Sequence, residues 1–200
     1  NTLQRTAAKE IQAFLEGEAH KALLVTGARQ VGKTTLIRQL GQEAFPNFVE
    51  LNFLENTAAR QLFETATDSS DFLLRLSALV GEKLVPGKTL IFLDEVQECK
   101  EIVTAIKFLV EDGRFDYIES GSLLGVNYKK VRSYPVGFEE IYQLYPMDFE
   151  EYARANGVQE STIQYLKTCY ETISPVTEAV HETMCKLFFS YLVVGGMPDV

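Results

Sequence analysis

Two hundred residues, 46% hydrophobic and 24% charged, suffice for one good core or a core with a small appendage, in the composition range of soluble globular chains. A net charge of −9 repels nucleic acid over most of the surface, so such a partner needs a local basic patch. No apolar run nears the ~20 residues of a membrane span, the longest, Leu187 to Val194, being broken by Ser190.

Residues 2–16 space Ile11, Phe14 and Leu15 along one side of an amphipathic helix. Ala22-Leu23-Leu24-Val25 reads as a buried strand, and "TGARQVGK" (26–33) follows it directly. "KTTLIRQLG" is then a short helix that Gly41 is expected to stop. "FVELNF" (48–53) is a second strand, and "SSDFLLRLSALVG" (69–81) a helix capped by Ser69 or Ser70. "KTLIFLDE" (88–95) is a continuous apolar strand ending in two acids. "EIVTAIKFLVEDG" (101–113) places Ile102, Ile106 and Leu109 on one helical face, and "FDYIESGS" (115–122) is a strand with a polar end. Residues 123–138 are loop-like and basic, and "EEIYQLY" (139–145) supplies a fifth strand.

After Pro146 the pattern turns helical. Asp148 and Glu151 form a capping box, and helices are expected at 149–156, 159–172 and 175–192. The last starts at Ser174-Pro175, with Val176, Val180, Met184, Leu187 and Tyr191 on one stripe. Three cysteines without close pairing, two histidines and no visible signal peptide indicate a reducing, cytoplasmic setting and no structural metal. The missing initial methionine and the apolar ending "YLVVGGMPDV" lead us to expect a fragment of a longer protein.

Strands alternating with helices over residues 1–146 predict an α/β core with a mainly parallel sheet of about five strands, covered on both faces. Residues 147–200 are expected to form a small all-helical segment, a lid or the start of a truncated C-terminal domain.

Gly27-x4-Gly32-Lys33-Thr34 matches the phosphate-loop pattern, in its proper place between strand and helix. The glycines let successive backbone N–H groups turn toward an anion, and the helix adds its positive dipole end. Lys33 brings a point charge to the β- and γ-phosphates, and the Thr34 hydroxyl is placed to ligate Mg²⁺. Gly27, Ala28, Arg29, Gln30, Val31, Gly32, Lys33, Thr34 and Thr35 thus form the predicted nucleotide cradle of a P-loop NTPase three-layer sandwich. Asp94 stands at the C-terminal edge of a buried strand, where ligands of open α/β sheets bind, and would hold Mg²⁺ through water. Glu95 would point toward an attacking water as its general base. If the 115–122 strand lies between the other two, Ser120 or Ser122 would reach the γ-phosphate or that water; otherwise they are ordinary turn serines.

"TGARQVGKTT", "LIFLDEVQE", "YIESGSLLG", "VGFEEIYQLYPMDFEEYA" and "VVGGMP", in this order, resemble a group of predicted AAA+-superfamily ATPases of bacteria and archaea, in which an ATPase core precedes a C-terminal domain of unknown function. The resemblance runs from about Lys21 to Pro198. It implies that Lys33, Thr34, Asp94, Glu95 and a serine of 120–122 carry ATP binding and hydrolysis. Members often carry a basic residue after the glycine matching Gly137, where this chain has Phe138. That leaves Arg29, Lys129, Lys130 and Arg132 as candidates for a trans-acting arginine or its substitute.

Two functions follow as expectations. One is a Mg²⁺-dependent ATPase, a phosphoric anhydride hydrolase used as a motor or switch. The other is a slow, STAND-like module gated by bound nucleotide. The expected partners are the nucleotide, further copies of the chain through the 175–192 stripe, and a protein or nucleic acid engaged through the missing region; no membrane is expected.

Overall fold

The computed structural model describes residues 5–17, 21–81, 84–122 and 137–198. In chain order its elements are α1 (Ala7–Leu15), β1 (Ala22–Gly27), α2 (Lys33–Ala44), β2 (Asn47–Asn52), α3 (Thr57–Thr65), α4 (Ser69–Val80), β3 (Thr89–Asp94), a 3₁₀ turn (Val96–Glu98), α5 (Ile102–Asp112), β4 (Asp116–Ser122), β5 (Glu139–Gln143), α6 (Phe149–Ala155), α7 (Glu160–Glu171) and α8 (Glu178–Val194). The strands form one sheet in the order β2-β3-β4-β1-β5, and every pairing is parallel. Parallel neighbours require crossovers, and between β1 and β4 helices α2 to α5 supply them.

All six residues of β3 are buried, as befits a strand covered on both faces. On one face Leu24, Val49, Leu51, Ile91, Leu93 and Tyr117 pack with Phe63, Phe72, Leu76, Ile102 and Ile106 from α3, α4 and α5. On the other lies α2, with Ile37 and Leu40 buried. The architecture is therefore the three-layer P-loop NTPase sandwich.

Several local expectations need correction. Gly41 does not end its helix, which runs on to Ala44 and is capped at Phe45, whose N–H reaches the Gly41 carbonyl. Gly41 is instead a contact point: a Cβ there would lie 2.6 Å from the Phe48 ring and 2.9 Å from Leu90. The α4 cap is Asp68, which accepts from the Asp71 N–H, rather than either serine. Helix α3, capped by Asn56, was not expected; nine residues with only Ala59 and Phe63 buried give a weak periodic signal. Of the helix expected over 2–16, α1 covers Ala7–Leu15, and residues 2–4 lie outside the described residues. The last helix starts three residues later than its proline suggested, because the Ser174 N–H closes the end of α7 on the Cys169 carbonyl and Thr177 becomes the cap.

The chain divides into two compact units: one spans Glu10–Leu144, and the other joins the residues before Glu10 to those from Tyr145 onward. In the second unit the Asp148/Glu151 capping box is present. Glu151 also accepts from the Thr6 N–H at 2.6 Å and pairs with Arg5, with both side chains 6% exposed. Phe149 packs edge-on against Phe188, and the Tyr191 hydroxyl donates to the Met147 carbonyl. A Cβ on Gly196 would strike the Met147 backbone, whose N–H bonds the Gly196 carbonyl. The stripe Val176, Val180, Met184, Leu187, Tyr191 is half-buried, whereas Phe189, Leu192 and Val193 stand 65%, 62% and 89% exposed. Cys99, Cys169 and Cys185 are free thiols, and no described helix is long and apolar enough to cross a membrane.

Candidate functional site

Strand order brings the predicted residues together. With β4 between β1 and β3, the ends of these three strands deliver Gly27, Asp94 and Ser122 to one edge of the sheet. The condition attached to the two serines in the sequence is thus met.

The loop between β1 and α2 is shaped by close backbone approach. A Cβ on Gly27 would strike the Leu144 carbonyl oxygen, in the segment that follows β5, where the Leu144 N–H donates to Thr26 at 2.7 Å. Gln30 and Gly32 take left-handed conformations with φ 62° and 94°. Ala28, Arg29 and Gln30 are exposed, as is Thr35, while Val31 is buried beneath them. Gly32 caps α2 without a side-chain hydrogen bond, which leaves the first-turn N–H groups at the positive end of the helix dipole.

The Lys33 ammonium lies across this loop. It donates to the carbonyls of Gly27 (3.1 Å) and Ala28 (2.8 Å) and to Ser122 Oγ (3.4 Å). Lys33 is only 5% exposed. Burial pushes its pKa below the usual lysine value, Glu95 and Asp94 pull it back up, and Arg29 adds a smaller downward push.

Asp94 is buried and surrounded by donors. Ser120 Oγ donates to its Oδ1, Thr34 Oγ1 lies 3.2 Å from Oδ2, Asn52 Nδ2 donates at 3.1 Å, and the Glu95 N–H donates at 3.1 Å. Burial raises the Asp94 pKa, with Glu95 adding to it, while the Ser120 and Thr34 bonds act the other way. A hydroxyl beside a carboxylate is the oxygen donor set that Mg²⁺ takes, so Thr34 and Asp94 fit that ion.

Glu95 leaves the strand in a left-handed conformation, φ 57° and ψ 48°. For a non-glycine residue this costs ~1–3 kcal/mol and persists only where the surroundings enforce it. Its carboxylate accepts from Gln97 Nε2 and, at 3.5 Å, from Ser122 Oγ. Ser120 and Ser122 thus differ in setting: the first is fully buried on Asp94, the second stands between Lys33 and Glu95.

Asn52 and Gln97 are the residues that sequence reasoning missed. Gln97 stands inside "LIFLDEVQE", so its signal was present, whereas Asn52 reaches Asp94 only because β2 pairs with β3. Phe138, in place of the basic residue, packs against the core with Lys107 Nζ 5.3 Å from its ring centroid. Lys129, Lys130 and Arg132 lie outside the described residues.

A loop with an ammonium and free helix N–H groups, beside a hydroxyl and two carboxylates, is chemically suited to a magnesium-bound polyphosphate. No curated protein sequence matches the chain. Among solved structures, it resembles a Walker-type ATPase of Pyrococcus abyssi (TM-score 0.58, 16% identity, 98% of this chain and 65% of that one). It also resembles Drosophila ORC bound to DNA (0.54, 20%, 96% and 57%) and C. elegans PCH-2 (0.50, 12%, 82% and 48%). The chain thus spans less than two thirds of each of these proteins, and at these identities the likeness shows the fold. A family profile described as an AAA domain matches residues 19–153, a span that contains the loop, both acids and both serines. The chain therefore belongs to the AAA-domain family, the AAA+ P-loop ATPases, whose members bind nucleotides.

Proposed function

We propose that the chain binds ATP with Mg²⁺ at Gly27–Thr35 and hydrolyses it, as a motor or switch. The observation that carries this reading is the Glu95 carboxylate, held beside Ser122 and Lys33 at the sheet edge while Asp94 sits on Thr34. In this reading Lys33 leaves the loop carbonyls for the phosphate oxygens. Thr34 would hold Mg²⁺ directly and Asp94 through water, with Ser120 orienting Asp94. When bound, the ion offsets the charge on the β- and γ-phosphates. Glu95 takes the proton of a water whose oxygen bonds to the γ-phosphorus as the bond to the β–γ bridging oxygen breaks. Ser122 is the residue placed to sense the γ-phosphate, and residues 147–200 are the part we assign to respond.

The test is steady-state phosphate release. Glu95→Gln keeps the size of the side chain but cannot accept the proton, so turnover should fall ~10²-fold or more while ATP still binds. Parental turnover in that variant would remove Glu95 from the role.

Slow, nucleotide-gated behaviour is the second reading. Phe138 favours it, because an aromatic ring packed on the core cannot serve as an arginine finger. Without a trans-acting arginine, turnover should lie at ~10⁻⁴–10⁻² s⁻¹, between a GTPase without its arginine finger and one that carries an arginine in cis. The similar Drosophila protein is bound to DNA, which suggests nucleic acid as a partner, but the net charge of −9 confines any such contact to a local patch.

A further inference from the structure

Gln97 takes no part in the steps above, yet its side chain bridges two of their residues. Strand β4 continues past Glu119, the last residue it pairs with β3, to Ser122, which pairs with Gly27 of β1, so its end overhangs the end of β3. Gln97, in the 3₁₀ turn after β3, spans the gap. Its Nε2 donates to the Glu95 carboxylate, and its Oε1 accepts from the Ser122 backbone N–H at 3.2 Å. The Ser122 hydroxyl in turn lies 3.5 Å from Glu95 Oε2 and 3.4 Å from Lys33 Nζ. A primary amide suits this place because it donates through one atom and accepts through the other. A carboxylate would accept from the N–H but meet Glu95 with like charge, and an aliphatic side chain would do neither.

We propose that Gln97 is a positioning residue: it clamps the Glu95 carboxylate to the end of β4, so that Ser122 links the base to Lys33, the side chain that meets the phosphates. Nucleotide arrival at Lys33 is thereby reported to Glu95 through Ser122, with Gln97 keeping the two in register. The left-handed backbone of Glu95 belongs to the same device, turning its side chain back toward Ser122. The proposal rests on the reading of this site as an ATP hydrolase, and its test separates the two.

In the full chain, Gln97→Leu should lower kcat roughly tenfold to a hundredfold, as loss of an orienting hydrogen bond does, while KM and the Kd of a fluorescent ATP analogue stay at parental values. Gln97→Glu, which keeps a polar side chain, should show the same split. The double variant Glu95→Gln/Gln97→Leu should be no slower than Glu95→Gln, because the two act as a unit. Independently of turnover, the Gln97 side-chain amide resonance should shift in Glu95→Ala, and again when a non-hydrolysable ATP analogue with Mg²⁺ is added to the parent. A parental kcat in both Gln97 variants of an active parent overturns the clamp. If the parent releases no phosphate, the hydrolysis reading falls and the resonance decides: displaced by Glu95→Ala, the clamp stands; unmoved, it fails.

Discussion

Asp94 is held by side-chain donors from three other elements: Thr34 of α2, Asn52 of β2 and Ser120 of β4. We expect Asp94→Asn to weaken Mg²⁺-dependent ATP binding and to leave binding in EDTA nearly unchanged, because the lost charge acts through the ion. Equal losses with and without Mg²⁺, in titrations with a fluorescent ATP analogue, would mean that Asp94 only shapes the loop. A second carboxylate lies outside the candidate site. Glu119 is fully buried, and it faces Glu139 across β1, where the two flank Leu24 and Ala22. Among the described residues their oxygens have no other partner. Burial first, and Glu139 second, push the Glu119 pKa well above the ordinary 4.5. A carboxyl whose pKa rises on folding favours the folded state below its unfolded value and loses that contribution as pH climbs through the folded value. The parent should therefore lose stability as pH rises from about 4.5, and Glu119→Gln should flatten that slope and be more stable than the parent at pH 7. Urea midpoints across pH measure both, and a slope unchanged by the substitution contradicts the assignment. Lys33, Thr34, Asp94 and Glu95 were legible in the sequence because their pattern is local. Asn52 and the Glu119–Glu139 pair were not, because their meetings depend on strand order and register, and Gln97, although inside a local motif, gains its second partner, Ser122, only through the position of β4.

Strands were easier to read than helix ends. A run such as Leu90–Leu93 is buried on both faces and has no polar residue to confuse it, whereas caps depend on which of several neighbouring side chains reaches the free N–H groups. Asp68 does so before α4, although two serines follow it. Gly41 shows the same ambiguity, since a glycine near a helix end reads as a stop signal but here makes room for Phe48 and Leu90. Gly41→Ala should gain ~1 kcal/mol in helix propensity and lose ~1–3 kcal/mol to overpacking. The net expectation is a Tm a few degrees lower, at ~2–4 °C per kcal/mol for a chain of this size. A raised Tm in thermal denaturation would show that the site relaxes freely. Gly27→Ala meets backbone rather than side chain, at the Leu144 carbonyl, and should cost more than Gly41→Ala in the same assay.

At the scale of the molecule, the apolar residues left open on α8 are not those of the expected stripe. Phe189, Leu192 and Val193 are exposed, while the stripe is half-buried. Exposed large apolar groups on one helix promote association, so the parent should show a mass by light scattering that rises with concentration, and Phe189→Glu should remain monomeric over the same range. A parent that is monomeric throughout would rule out that face. If a neighbouring copy supplies the missing arginine, phosphate release per chain should rise with concentration in the parent and not in Phe189→Glu.

The central claim is that the β1–α2 loop and its lysine hold the phosphates of a nucleotide. Calorimetric titration of ATP·Mg²⁺ into the parent and into Lys33→Ala tests it most directly. A charge-assisted hydrogen bond to phosphate contributes ~1.5–3 kcal/mol, so the variant should bind roughly tenfold to a hundredfold more weakly, at ~1.4 kcal/mol per decade. Saturable binding in the parent with that loss in Lys33→Ala is the result we predict; equal affinity in the two proteins would contradict it.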